Sequence, residues 1–438
     1  MDSHISHFTG KQTRPQGSYS AKAQSATADV GQCILETIIG NKRLPVAFRL
    51  WDGRTLQTDK PNCTLTFRTP GVLRDLVLHR NIMLLGEAFL NGNLIADGNL
   101  ETVFALPEQL AQEPLSAPKR LTLLAKALKL PADTATRPGS RNYRASFSAR
   151  RNSRTSIAHH YDVGNDFYRL WLDPQMVYSC AYFRDSTQSL AQAQCDKLDY
   201  LCRKLRLQRG QRLLDVGCGW GALLVWAARH YGVQAHGITL SEEQYRFTRE
   251  WIAAEGLQNQ VKVEIRDYRD LKDTKPYDRV VSVGMFEHVG VDNFPAYFGT
   301  VRKLLAPDGL FLNHGITNDT GWKKTPLTRF INRYVFPDGE LARISDVSDA
   351  MEQAGFEILD VESLRRHYVM TLRHWISALE TNRDAAIAVS SEAVYRLWRL
   401  YMAGSAYYFD EGSTNVYQVL AGHSYQQPRI PLRRTDLY

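Results

Sequence analysis

Arg212-Leu-Leu-Asp215-Val-Gly217-Cys-Gly219-Trp-Gly221-Ala-Leu-Leu-Val-Trp-Ala-Ala-Arg-His-Tyr-Gly232 is the stretch that decides the fold. Its first five residues, built on Leu213, Leu214 and Val216, read as a buried strand. Glycines then punctuate a turn, and apolar residues recur at helical spacing up to Gly232. The same alternation continues downstream. VQAHGITL (233–240) reads as a strand, SEEQYRFTREWIAAEG (241–256) as a helix and VKVEIRD (261–267) as a strand. YDRVVSVGMF (277–286) and GLFLNHGIT (309–317, after the Pro307-Asp308-Gly309 turn) supply two more strands. Strand–helix alternation of this kind predicts an α/β fold with a doubly wound, mostly parallel sheet.

Upstream the pattern differs. VAFRLWDG reads as a strand entering an Asp52-Gly53 turn, CTLTFRTP alternates as a second strand, and GVLRDLVLHR has helical spacing. An Asn91-Gly92 turn then leads into LIADGNLETVFAL. These segments predict a smaller N-terminal α+β domain over 31–115. Residues 1–30, rich in Ser, Gln, Thr and Ala, are expected to be a disordered tail. A Ser/Arg/Gly-rich basic linker is expected over 116–155, and a second domain over 156–438.

At 438 residues the chain is long enough for two cores, and 44% hydrophobic with 23% charged residues suits a folded protein. No run of eighteen apolar residues occurs, which excludes a simple membrane span. The first twenty residues lack the apolar stretch of a secretory signal, and the six cysteines show neither CxxC pairs nor metal-finger spacing. A cytoplasmic protein with reduced thiols and no metal is the expectation. The net charge of +8 is concentrated in residues 111–155. There Lys119, Arg120, Lys126, Lys129, Arg137, Arg141, Arg144, Arg150, Arg151 and Arg154 face only Glu113 and Asp133. Such a cluster attracts anionic lipid head groups, at roughly 1 kcal/mol per residue near the surface. A solvated linker is the bland alternative. The scarcity of interleaved aromatics, Tyr143 and Phe147, argues against nucleic acid.

The form Asp215-x-Gly217-x-Gly219-x-Gly221 has neither GxGxxG spacing nor a following GK[ST], which disfavours dinucleotides and triphosphates. It resembles motif I of the class I S-adenosylmethionine methyltransferases, in which Asp215 would face the methionine ammonium. Many of those enzymes end the second strand with an acid for the ribose. Here the strand ends Gly237-Ile-Thr239-Leu-Ser241, followed by Glu242, Glu243 and Gln244, so that acid is missing from its usual place. Asp267 and Tyr268 close the third strand, where an acid can accept from an adenine amino group while the ring packs on the base. A plain turn cap at Asp267 is the alternative.

Six stretches resemble one family, the cyclopropane-fatty-acid and mycolic-acid cyclopropane synthases, over about residues 155–425. They are His160-Tyr-Asp162-Val-Gly164-Asn165-Asp166, Tyr178-Ser-Cys180-Ala-Tyr182-Phe, Leu214-Asp-Val-Gly-Cys-Gly-Trp-Gly221, Gly237-Ile-Thr-Leu-Ser-Glu-Glu-Gln244, Ser282-Val-Gly-Met-Phe-Glu287-His288-Val-Gly290 and His314-Gly-Ile316. The N-terminal unit is similar to the extra domain of the bacterial phospholipid-acting branch. The resemblance implies an enzyme that alkylates the double bond of an unsaturated membrane phospholipid, using S-adenosylmethionine and a buried bicarbonate as base, on the inner face of the membrane. A homodimer is compatible with it. By the same resemblance Tyr178 and Ser179 close over the methionine, Gly217 and Gly219 line the cofactor, and Thr239 with Gln244 replace the missing ribose acid. Glu287, His314 and Tyr368 would hold the bicarbonate, with the backbone of Cys180, Gly284 and Ile316 nearby. Taken singly, Glu287 reads as a helix cap, His314 as a structural histidine and Tyr368 as a packing residue. Ser405, Asn313 and Gly315 depart from the commoner family residues. A small-molecule N-methyltransferase and a non-catalytic lipid binder are the competing classes; the N-terminal unit, the basic segment and the complete set of holders argue against the first, and intact Asp215, Glu287, His314 and Tyr368 against the second.

Overall fold

The computed structural model describes residues 21–56, 60–79, 81–111, 115–132, 163–321, 326–336, 339–426 and 430–437. Two sheets organise the chain. The first has the order β2-β1-β3-β4, built from β1 (Val46–Arg49), β2 (Thr55–Leu56), β3 (Cys63–Phe67) and β4 (Leu94–Gly98). β1 and β3 run parallel, and the outer pairs are antiparallel. Alternation in Cys63-Thr-Leu-Thr-Phe67 sends Cys63, Leu65 and Phe67 inward, as period-two patterning requires. Helices Ala21–Ile39, Pro70–His79, Ile82–Leu90 and Ala117–Lys129 accompany this sheet. Their leucines and valines share one core with Phe48, Leu65 and Phe67.

Two sequence expectations are corrected here. Residues 21–30, expected in a disordered tail, begin the helix Ala21–Ile39, whose Ala28, Ile34 and Leu35 are buried. Their small and polar residues hid a stripe of apolar ones that tertiary packing stabilises. Residues 117–129, assigned to the linker, form a helix that buries Leu123 and Ala127 in the same core. The remaining tail (1–20) and the Arg-rich stretch from Arg137 to Arg154 lie outside the described residues, as do His160 and Asp162.

The second sheet has seven strands: β5 (Arg212–Val216), β6 (Gln234–Thr239), β7 (Val261–Ile265), β8 (Tyr277–Val283), β9 (Leu305–Asn318), β10 (Phe356–Ser363) and β11 (Thr414–His423). Their order is β10-β11-β9-β8-β5-β6-β7. The pairs from β9 to β7 are parallel, and β11 alone runs antiparallel to its neighbours. The expected doubly wound, mostly parallel sheet is therefore present, with β10 and β11 added beyond the strands legible in the sequence. The Pro307-Asp308-Gly309 turn does not precede β9; it sits inside it as an irregularity between Tyr277↔Leu305 and Arg279↔Leu310. Ligands of such sheets bind at the carboxyl ends of the strands, where the winding reverses, which here is beside β5.

Helices Arg365–Thr381, Arg383–Val389 and Glu392–Glu411 connect β10 to β11 and meet the N-terminal unit. Buried Arg399 donates to the carbonyls of Ala96 (2.7 Å) and Gly98 (2.9 Å) on β4, and Arg373 pairs with Glu101 at 2.7 Å. The two units are thus joined by charge-assisted bonds, from Arg399 to backbone carbonyls and from Arg373 to the Glu101 carboxylate.

Candidate active site

A cavity of about 180 Å³, lined by polar and apolar groups together, lies at the carboxyl ends of β5, β6 and β7. Tyr178, Ser179, Asp215, Gly217, Gly219, Thr239, Gln244, Asp267 and Tyr268 all line it, so every cofactor residue expected from sequence is gathered there. Asp215 is buried at the end of β5, and its Oδ1 has no partner. Burial raises its carboxyl to about 7, against the opposing charge of Lys197. An unsatisfied buried carboxylate oxygen fits a cationic group such as an ammonium. Gly219 has a positive φ of 54° and open space where a side chain would stand, so a ligand can approach its backbone closely. At Gly217 (φ 87°) a Cβ would lie 2.8 Å from Met285, so only glycine fits.

The ribose substitutes are prepaired. Thr239 Oγ1 donates to Gln244 Oε1 at 2.7 Å and accepts from the Ser241 amide at 3.2 Å. Asp267 does cap a turn, accepting from the Arg269 amide, and the Arg269 guanidinium grips it at 2.9 and 2.7 Å. It also lines the cavity. Tyr268 packs edge-on against Tyr297, 5.2 Å between centroids. Asn165, from the first family motif, accepts from Trp220 Nε1 at 2.8 Å and braces the glycine turn from outside.

A second cavity of about 1160 Å³ is walled mainly by apolar side chains and runs from the N-terminal unit to the ends of β8 and β9. Cys180, Gly284, Glu287, His314, Ile316 and Tyr368 line it. Glu287 Oε1 accepts from the Ile316 amide at 2.7 Å, while Oε2 has no partner. Burial raises this carboxyl to about 7. His314 sits opposite Gln418 in the β9–β11 register, and the Gln418 amide nitrogen lies 3.2 Å from Nδ1. With the Gln418 amide nitrogen facing Nδ1, as it is placed, Nδ1 accepts and the ring proton belongs on Nε2. Nε2 is unpartnered as well, and burial depresses the imidazolium to about 3, so the ring is a neutral donor. Tyr368 packs on Trp375 and Phe409. The Cys180 thiol is pushed far up by burial and lies 3.3 Å from the Ala181 carbonyl, which suits no nucleophilic role.

The backbone of Gly284 and Ile316 is bonded directly to the Glu287 and His314 pair. The Ile316 amide is spent on Glu287, and the Gly284 amide donates to the His314 carbonyl at 2.8 Å. Both bonds therefore help to position Glu287 and His314. Gly315, a departure from the family pattern, is required because a Cβ there would overlap the Phe286 ring. Ser405 lines the apolar cavity and hydrogen-bonds with Tyr401, which also bonds Tyr178.

Sequence reasoning missed three residues. Lys197, 2% exposed, lines the cofactor cavity and donates to Ser179 Oγ at 3.0 Å; burial lowers it to about 8. Its signal was a lysine on the apolar face of the helix Leu190–Lys204. Gln418, on an unread strand, gave none. His288 lines both cavities, and burial lowers it to about 4. Tyr178, Ser179 and Gly284 are shared as well, so the two cavities meet at these four residues.

Known proteins bear on this geometry. The chain is 42% identical over 406 residues to a probable fatty acid methyltransferase of Pseudomonas putida, spanning 90% of this chain and 96% of that protein. It is 38% identical over 274 residues to cyclopropane mycolic acid synthase 3 of Mycobacterium tuberculosis, spanning 60% of this chain and 95% of the relative. Among solved structures, mycolic acid cyclopropane synthase CmaA1 complexed with SAH and CTAB superposes with a TM-score of 0.58 at 36% identity, covering 62% of this chain and 99% of that one. Residues 148–419 match the family described as mycolic acid cyclopropane synthetase, and the chain belongs to that family.

Proposed function

We propose that the protein transfers a one-carbon unit from S-adenosylmethionine to the cis double bond of an acyl chain in a membrane phospholipid, closing a cyclopropane ring. The observation that carries this reading is the shared wall. A cavity ending in an unpartnered carboxylate adjoins a long apolar one through Tyr178, Ser179, Gly284 and His288. The family's members support it: one relative is named a fatty acid methyltransferase, another a cyclopropane mycolic acid synthase. CmaA1 was solved with SAH and with CTAB, a long-chain surfactant.

An alkene is a weak nucleophile, so only a strong methyl electrophile suits it. The π pair forms a bond to the methyl carbon while the carbon–sulfur bond breaks, its electrons staying on sulfur. A cation remains on the neighbouring chain carbon. Loss of a proton from the new methyl group lets the freed C–H pair close the ring. Asp215 and the glycine turn hold the donor, and the apolar walls exclude water that would quench the cation. Glu287 Oε2 and His314 Nε2, an acceptor and a donor both lacking partners, fit a small anion carrying its own hydroxyl. Bound there with Tyr368, bicarbonate would supply a compact anionic base for that proton and a fixed charge near the cation.

One observation favours a second product. A relative matching nearly the whole chain is named a methyltransferase, and a cation deprotonated elsewhere leaves a methyl or methylene branch instead of a ring. The test is incubation with S-adenosylmethionine and vesicles of unsaturated phospholipid, with and without bicarbonate. Upfield ring protons in NMR and a mass gain of one CH2, lost in bicarbonate-free buffer and regained on its return, are the expected outcome. Branched products would favour the second reading; an alkylated amine with untouched lipid would overturn both.

A further inference from the structure

The helix Ala117–Lys129 presents two faces of opposite logic. Leu123 and Ala127 are buried in the N-terminal core. Leu121 and Leu128, two turns apart on the other side, stand 68% and 65% exposed. Leucine pairs on one outward helix face are unusual where nothing covers them, and a helix of this pattern suits an interface. The helix contains no acidic residue. Lys119, Arg120 and Lys129 are exposed beside the leucines, whereas Lys126 turns inward to Cys33 Sγ.

Its position is equally specific. Exposed Ala111 and Arg120 line the same cavity that contains Glu287 and His314, so that cavity opens at the start of this helix. Leu123 and Leu124 continue the wall inward. In sequence the helix is followed by six arginines between 137 and 154 against one acid, Asp133.

We propose that the helix Ala117–Lys129 docks the protein on an anionic lipid bilayer, with Leu121 and Leu128 entering the acyl region and Lys119, Arg120 and Lys129 meeting head-group phosphates. The cavity mouth then opens against the leaflet, and a lipid tail passes under the helix toward Glu287 without crossing water. Exposed leucines ringed by cations match a surface that is apolar beneath an anionic layer. The inference rests on the lipid-alkylating reading of the site, because that reading is what calls for a path from bilayer to cavity.

The experiment uses the full chain with vesicles of phosphatidylcholine alone or mixed equally with phosphatidylglycerol. Parent protein is expected to cosediment with the mixed vesicles. Leu121→Gln with Leu128→Gln, both at exposed positions, should weaken that binding on the order of tenfold at every salt concentration. Lys119→Gln and Lys129→Gln together should weaken it at low salt and flatten its salt dependence. Both variants should keep the parent's melting temperature and its turnover of detergent-dispersed unsaturated phospholipid. Undiminished vesicle binding by the leucine variant overturns the proposal. So does a loss of self-association in that variant by sedimentation velocity, which would mean that a second copy covers the helix. If the parent binds vesicles through these residues but alkylates no lipid in detergent, the surface stands and the assigned reaction fails.

Discussion

The two cavities are built by opposite means. Around the cofactor cavity, short stretches of chain (178–179, 215–221, 239–244 and 267–268) each deliver neighbouring residues to one place. Backbone conformation is the decisive property there: positive φ at the glycines, a cap at Asp267 and a prepaired Thr239–Gln244. The apolar cavity draws on residues from Leu35 to Val416, and no single segment defines it. Its decisive property is space left by packing between two units. Local backbone can be written in a motif; a void between distant elements cannot, because every wall depends on where the others settle.

Breaking the polar end of the apolar cavity should have the largest effect. Glu287→Gln keeps the side-chain size and the bond to the Ile316 amide but puts a donor in place of the unpartnered acceptor Oε2. Turnover should fall on the order of 100-fold, the scale of a misplaced general base, with S-adenosylmethionine affinity unchanged by calorimetry. Equal loss of affinity and rate would merge the two cavities into one functional unit.

The cofactor cavity is tested through Asp215. Asp215→Ala should weaken S-adenosylmethionine roughly tenfold, about 1.4 kcal/mol, because a charge-assisted bond is lost. The direction of its pH dependence follows from a carboxyl raised to about 7. Below that pH the free protein holds a proton that an ammonium ligand must expel. Parent affinity should therefore rise by up to about tenfold per pH unit as pH approaches 7 and then level off. Calorimetry in buffers of different ionisation enthalpy would register the released proton, and Asp215→Asn should lose both the release and the slope.

A smaller change sharpens the assignment of the N-terminal unit. Leu76 lines the apolar cavity far in sequence from Glu287 and His314. Leu76→Trp should lower turnover of long acyl chains roughly fivefold and spare short ones, since steric discrimination in apolar pockets is modest. Equal effects on all chain lengths, measured with phospholipids of graded acyl length, would remove this unit from the path of the tail.

How much was legible follows the same division. Strands β5 to β8 and their helices announced themselves through apolar runs and glycine turns. β10 was missed because Phe356–Ser363 is only partly buried and reads as mixed polar sequence. The helix at 21–39 was mistaken in part because alanine, serine and glutamine make a tail by composition yet a helix by propensity, once a core is present to receive Ile34 and Leu35. Glu287, His314 and Tyr368 could be named only through a pattern shared with relatives, since each alone has an ordinary structural use.

By itself the sequence determined the doubly wound sheet, the glycine turn beside Asp215 and the polar groups at the strand ends, because these depend on periodicity and backbone conformation within a few residues. The tertiary structure alone decided that His314 is neutral and meets Gln418 across a strand pair, 104 residues apart in sequence. It also decided that Glu287 keeps one oxygen free in an apolar enclosure, and that the enclosure reaches the helix Ala117–Lys129. Burial and partnership are properties of the packed whole, and they set both the charge and the remaining valence of each polar group.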